Sequence, residues 1–213
     1  MRGGERPVAK PPYWERAKRE LSARDPRLGA IILRYRRAHL VSRGAPFATL
    51  ARSIVGQQIS VRAAARVWER LAAHLGEPTP QAVLAAGLEQ LRACGLSARK
   101  AEYLGDLARR FLDGTVCTER WVRLGDEAVI SELVQVRGIG RWTAEMFLIF
   151  NLLRPDVLPV SDLGLRRAVS LTYCAGRPVS IAALRRIAAA WRPWRSVATW
   201  YLWRSLDPLP VEY

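Results

Sequence analysis

Lysine is nearly absent from a chain that is otherwise strongly basic. Of 34 Lys and Arg residues only Lys10, Lys18 and Lys100 are lysines, and against 19 acidic residues the net charge is +15. An excess of that size makes a polyanion the first partner to consider, because clustered cations release counterions from a phosphate backbone. Arginines set among alanines, as in "SVRAAARVWERLAA", are also what a GC-rich coding sequence produces, so charge favours nucleic acid without deciding it. Cysteine is scarce too. Cys94, Cys117 and Cys174 lie far apart, with no CxxC pair and no metal-ligand spacing; this argues against zinc and fits a reduced cytoplasmic setting. Long apolar runs are missing. Ala144 to Leu153 is interrupted by Glu145 and Asn151 and is too short to cross a bilayer, and no window reads as a signal peptide. The polar, Pro- and Gly-rich start "MRGGERPVAKPP" reads as a mobile tail.

Alternating strand patterns are also lacking, and helical periodicity fills the chain. In "PRLGAIILRYRRAHL" Leu28, Ile31, Ile32 and Tyr35 share one face with arginines opposite. "PFATLARSIVG" (46–56) begins on Pro and ends on Gly, the expected helix punctuation. Ser60 and Ser97 are placed as N-caps with Gly76 and Gly114 as stops, and Asp126 as the cap of "DEAVISELVQV". Three further helices read from "SDLGLRRAVSLTYC", "SIAALRRIAAAW" and "PWRSVATWYLWRSL". The expected fold is all-α.

One stretch, "VRGIGRWTAEMFLIF" (136–150), sets two glycines directly against an apolar helix. A nucleotide fingerprint would need a third Gly where Thr143 stands and a strand before it. A Schellman stop followed by an ordinary helix accounts for the glycines alone. A helix–hairpin–helix accounts for every residue. Amides around Gly138, Gly140, Arg141 and Thr143 then lie at a helix N-terminus, where the dipole favours an anion and glycine lets backbone approach a phosphate. Ile139 tucks inward to pin the turn.

"LVQVRGIGRWTAEMF" followed by "VLPVSDLGLRRAV" resembles the helix-hairpin-helix DNA glycosylase superfamily, the superfamily of endonuclease III. There a Pro-bearing loop beyond the hairpin delivers an aspartate into a helix, and Pro159 and Asp162 occupy the matching places. "FATLARSIVGQQISVRAA" and "WRPWRSVATWYLW" are similar to segments of the 3-methyladenine DNA glycosylase II type, in a compact form without the N-terminal β-rich domain. The resemblance implies two helical lobes with Asp162 in the cleft between them: 46–152 with the hairpin, 153–213 with the Asp loop, and 1–45 packing with the latter.

It also implies site residues. Asp162 would be catalytic, stabilising the positive charge that develops on deoxyribose; as an Asp before a helix it reads equally as an N-cap. Gln58 with Ile59 would intercalate into the gap left by a flipped nucleotide, and Gln57 and Gln58 read otherwise as helix-end caps. Trp142, Met146 and Trp203 would line the substrate pocket, where aromatic faces suit cationic bases. Met146 stands where the relative has Tyr, and the Trp-rich C-terminal segment otherwise reads as core. Val134, Val136 and Ile139 would offer backbone carbonyls to Na+ or K+; no other cofactor is expected. Three cysteines cannot hold the iron–sulfur cluster of the endonuclease III branch. Trp142 replaces the Schiff-base Lys of relatives that cut the strand, so chemistry should stop at an abasic site.

The expected function is a monofunctional glycosylase that excises alkylated purines such as 3-methyladenine and 7-methylguanine from double-stranded DNA. It would act as a monomer without membrane attachment, in the cytoplasm or on a bacterial nucleoid. The alternatives are a glycosylase for oxidised or deaminated bases, or a non-catalytic DNA-binding protein that uses the hairpin only for grip.

Overall fold

The computed structural model describes residues 10–42 and 44–206, so most of the segment read as a tail lies outside the described residues. Among them the chain is helical throughout, with no strand. The order is α1 (Trp14–Arg24), α2 (Pro26–Arg34), α3 (Pro46–Gly56), α4 (Val61–Leu75), α5 (Pro80–Ala93), α6 (Ala98–Leu112), α7 (Thr118–Trp121), α8 (Asp126–Leu133), α9 (Arg141–Phe150), α10 (Leu163–Tyr173), α11 (Ile181–Ala188) and α12 (Arg195–Leu206), with a 3-10 turn at Ala189–Trp191.

Capping chemistry explains most boundaries. The Ser60 hydroxyl accepts from the Ala63 amide at 3.3 Å, Ser97 from Lys100 at 3.3 Å and Ser180 from Ala183 at 3.2 Å. Gly76 closes α4 at φ +70°, a conformation glycine adopts without Cβ strain. Asp126 is not the cap of α8. Gly125 takes the extended cap position, and Asp126 is the first helical residue, where its charge still favours the dipole. Helix α2 stops at Arg34, short of the periodic pattern; Leu28 and Ile32 are buried but Ile31 and Tyr35 only half-buried. Helices α5 and α7 have no counterpart in the sequence reading. Gly87 (φ 71°, ψ 170°) kinks α5 and breaks its periodicity, and α7 is a single turn.

The chain divides into two compact units, with the boundaries after Ser42 and inside α9 between Phe147 and Leu148. The middle unit is centred on α6, whose Ala101, Leu104, Leu107 and Ala108 are fully buried and packed against α3 and α5. Glu132 of α8 is buried, accepting from the Cys117 amide (2.7 Å) and the Trp121 indole (2.8 Å), and ion-paired with Arg120. A carboxylate so satisfied fixes α8, and with it the start of the hairpin.

The other unit joins α1 and α2 to α10–α12. Every residue of α12 from Ser196 to Trp203 is buried, the signature of a helix enclosed on all sides. Trp14, Trp200 and Tyr201 form an aromatic cluster with centroids 5.0–5.7 Å apart, and burial pushes the Tyr201 phenol up to about 12. Trp191, Trp194 and Trp200 are core residues. Asp25 caps α2 and accepts from the Tyr173 hydroxyl (2.6 Å) and the Trp191 indole (3.1 Å). Arg195 grips Asp156 through Nε (2.7 Å) and Nη2 (3.0 Å), while Ser196 ties down Pro155 and Val157 through their backbone. These contacts anchor the loop that runs into Asp162.

Candidate functional site

The hairpin between α8 and α9 turns on a backbone that only glycine fits. Gly138 has φ +86°, and a Cβ there would meet Tyr103 Cδ2 of α6 at 2.1 Å. The space at Gly138 is therefore taken by the protein's own tyrosine, whereas at Gly140, which is exposed, a Cβ would meet nothing within 4 Å. Gly140 is the glycine whose surroundings leave room for a partner. Val136 and Ile139 are buried (1% and 4% exposed), and the Ile139 amide donates to the Val136 carbonyl at 3.0 Å, closing the turn. Val134 is exposed at 42%. Asp106 of α6 holds the turn from below, accepting from the Arg137 amide (2.9 Å) and from Arg110 (3.0 Å).

Arg141 and Thr143 lie in the first turn of α9, whose amides have no intrahelical acceptor. Thr143 is half-buried. The Arg141 guanidinium is already engaged, with Glu127 through Nη1 and Nη2 and with Glu145 through Nε at 3.0 Å. This pairing raises the Arg141 pKa and lowers that of Glu127, the hydrogen bond being the main cause. The expected side-chain contact of Arg141 with a phosphate competes with these carboxylates.

The α3–α4 turn carries Gln58 and Ile59 outward, both exposed, with Gln58 in the left-handed region at φ +57°. Such backbone is costly for a non-glycine residue and persists only where neighbours hold it. Two side chains do so. Gln57 Nε2 donates to the Gly138 carbonyl at 2.8 Å, and Lys100 Nζ donates to the Val55 carbonyl at 2.8 Å, burial lowering the lysine's pKa. The turn is thus fastened to the hairpin through Gln57. Gln57 is the C-cap residue of α3, as read, its amide donating to the Ile54 carbonyl at 3.3 Å, and its side chain in addition bridges the two loops.

Asp162 is buried (6% exposed) in the other unit and is the N-cap of α10. Its Oδ1 accepts from the Leu165 amide at 2.6 Å and from the Trp203 indole N–H at 2.8 Å. Trp203 is 4% exposed and stacked on Phe150, with centroids 5.8 Å and planes 11° apart. Its edge therefore orients the carboxylate, in addition to whatever its face contributes to a pocket. Gly164 makes this possible, since a Cβ there would lie 3.2 Å from Asp162 Oδ1 and 3.3 Å from Trp203 Cδ1. Among the other expected pocket residues, Trp142 is 37% exposed and Met146 only 7%; both belong to the middle unit.

A model of the HhH-GPD superfamily base excision DNA repair proteins matches residues 51–193. The chain belongs to the HhH-GPD superfamily. DNA-3-methyladenine glycosylase 2 of Escherichia coli is 36% identical over 76% of this chain, which spans 58% of that protein's length. The crystal structure of a DNA-3-methyladenine glycosidase from Bacillus halodurans matches with a TM-score of 0.83 at 33% identity, over 90% of this chain and 89% of that one. The 3-methyladenine DNA glycosylase of Schizosaccharomyces pombe, in complex with abasic DNA, matches with a TM-score of 0.75 at 32% identity, over 93% and 99%. As an HhH-GPD base excision repair protein, the chain has DNA as its partner.

Tyr103 and Asp106 at the hairpin and Gly164 beside Asp162 escaped the sequence reading, as did the side-chain bridge of Gln57, which was read only as a cap. Three act across long stretches of chain and leave no local pattern. Gly164 did leave a signal, because glycine at the second position of a helix costs stability unless something needs the space.

Proposed function

We propose that this protein is a monofunctional DNA N-glycosylase that removes alkylated purines, 3-methyladenine and 7-methylguanine first, from duplex DNA. The observation that carries this reading is Asp162, a buried carboxylate held in one orientation by the Leu165 amide and the Trp203 indole. A base must leave the stack before a protein can reach its glycosidic bond. The exposed Gln58–Ile59 turn is suited to fill the vacated step, while the hairpin amides near Gly138, Gly140 and Thr143 hold the strand by its phosphates. As the C1′–N bond breaks, its electron pair leaves with the base and positive charge gathers on the sugar. A preorganised carboxylate stabilises that charge, and water adds at C1′, losing its proton to the carboxylate or to solvent. Purines methylated at N3 or N7 carry a positive charge and depart neutral, so no acid is required. Trp142 offers an aromatic face to such a cation.

The reaction ends at the abasic site. Trp142 cannot form a Schiff base, and each lysine is engaged elsewhere: Lys10 with Glu15, Lys18 with Glu15 and the Arg36 carbonyl, Lys100 with the Val55 carbonyl. A monovalent cation, Na+ or K+, fits the carbonyls of Val134, Val136 and Ile139. These are hard oxygen donors on one tight turn, and the Val136 carbonyl keeps a second lone pair beside the Ile139 amide. Bound there, the ion would supply charge toward a DNA phosphate. No iron–sulfur cluster or other cofactor enters this reading. The protein acts as a monomer, in the compartment that holds the DNA.

The test is incubation of N-methylated duplex DNA with the native protein and with Asp162→Asn. Release of free 3-methyladenine and 7-methylguanine by the native protein alone is the expected result. Release that survives in Asp162→Asn removes Asp162 from its role, and strand scission without added base or heat rules out the monofunctional assignment.

A further inference from the structure

Folding alone gives α4 little reason to carry its arginines where they are. Arg62 is the second residue of the helix, at the end where the dipole disfavours a cation. Arg66 follows one turn later and Arg70 another, and like charges at that spacing repel. Several arginines have partners within the protein: Arg110 sits on Asp106, Arg120 on Glu132, Arg195 on Asp156, and, on α4 itself, Arg70 on the Cys94 carbonyl. Arg62 and Arg66 are exposed and, among the described residues, have neither a carboxylate nor a hydrogen-bond acceptor. Glu69, the acid on the same helix, is exposed and pairs with neither. With Ser60, Ala63, Val67 and Arg70 they line a groove of about 390 Å³. Ser60 caps α4 and directly follows Ile59, so this groove opens beside the exposed Gln58–Ile59 turn.

We propose that this face of α4 is a second contact with the DNA backbone, in which Arg62 and Arg66 bind phosphates flanking the step that Gln58 and Ile59 enter. The inference rests on the reading of that turn as an intercalating one. The two arginines are about 6 Å apart along the helix axis and on one side of it, so they serve different phosphates of one strand. A polyanion reverses both of the costs that folding bears. The contrast within the protein is Arg185 and Arg186, in the last turn of α11, where the dipole welcomes cations and no ligand is needed to explain them.

The experiment measures affinity for an undamaged duplex as a function of KCl for the native protein, Arg62→Ala/Arg66→Ala, Arg62→Lys/Arg66→Lys and Arg185→Ala/Arg186→Ala. The slope of log K against log salt should become shallower by about 1.8 in the first pair of alanines, return to near the native value with lysines, and stay unchanged in the α11 control. Thermal unfolding of the Arg62→Ala/Arg66→Ala protein should be unchanged or raised, which separates lost contact from lost fold. An unaltered slope, or an equal fall in the α11 control, overturns the proposal. Base release from methylated DNA is scored in parallel on the native protein. Loss of slope without any base release leaves the surface standing and removes the glycosylase reading; base release with an unaltered slope does the reverse.

Discussion

At the hairpin, the groups we propose to meet DNA are main-chain amides and carbonyls, and the side chains nearby hold the loop. Gln57 reaches the Gly138 carbonyl, Asp106 the Arg137 amide, and Tyr103 fills the place of a missing Cβ. Around Asp162 the arrangement is inverted. There a side chain is the group we propose to be reactive, and a main-chain amide, an indole and a glycine fix it. The difference follows from what each must meet. A phosphate is the same at every nucleotide, so backbone dipoles serve any sequence. A developing charge on one sugar carbon requires a full charge at one point, shielded from water.

The sharpest way to break this contrast is Asp162→Asn. Asn keeps the cap, so stability should change by less than about 1 kcal/mol, while base release falls by about a thousandfold or more. Single-turnover base release and thermal unfolding check the two halves. Next comes the glycine pair. Gly138→Ala meets both a left-handed backbone and Tyr103 and should cost about 1–3 kcal/mol. Gly140→Ala meets open space and should leave stability within about 0.5 kcal/mol, yet weaken DNA binding. Equal effects of the two on unfolding would dissolve the distinction drawn between them.

Gly164→Ala sharpens the comparison from the other side. The new methyl presses on Asp162 Oδ1 and Trp203, so base release should fall about tenfold through misplacement of the carboxylate, with duplex affinity unaltered. Gln57→Ala removes one hydrogen bond, about 1 kcal/mol, and should loosen duplex binding several-fold without touching the rate of bound substrate. The smallest effect belongs to Glu127→Gln. The Glu127–Arg141 pair is exposed and worth no more than about 0.5 kcal/mol. Glu127 has a lowered pKa in the folded protein, chiefly through its hydrogen bond with Arg141, so its contribution is fully present above the ordinary glutamate range and is lost as pH falls from there through the lowered folded value. Freed from that partner, Arg141 should bind duplex slightly more tightly.

Much of this was legible in residue order. The Ser60 and Ser97 caps, the start of α9 at Arg141, and the coupling of "RGIGRWT" to a Pro-bearing loop and Asp162 are local patterns, because caps and glycine turns act over three or four residues. Asp162 was read both as a cap and as a reactive carboxylate; the cap is visible in the Leu165 amide bond, and the second role belongs to the proposal. Asp126 was misread because Gly and Asp are both good cap residues, and only the extended backbone at Gly125 separates them. Sequence by itself determined the all-helical class, the hairpin and the family. Only the tertiary structure decided that Trp203 lends its edge to Asp162, that Tyr103 claims the space at Gly138, and that Gln57 fastens the Gln58 turn to the hairpin. Those contacts join residues 35 to 81 positions apart, and a chain read in order records which side chains exist but not which distant ones packing brings within hydrogen-bond reach.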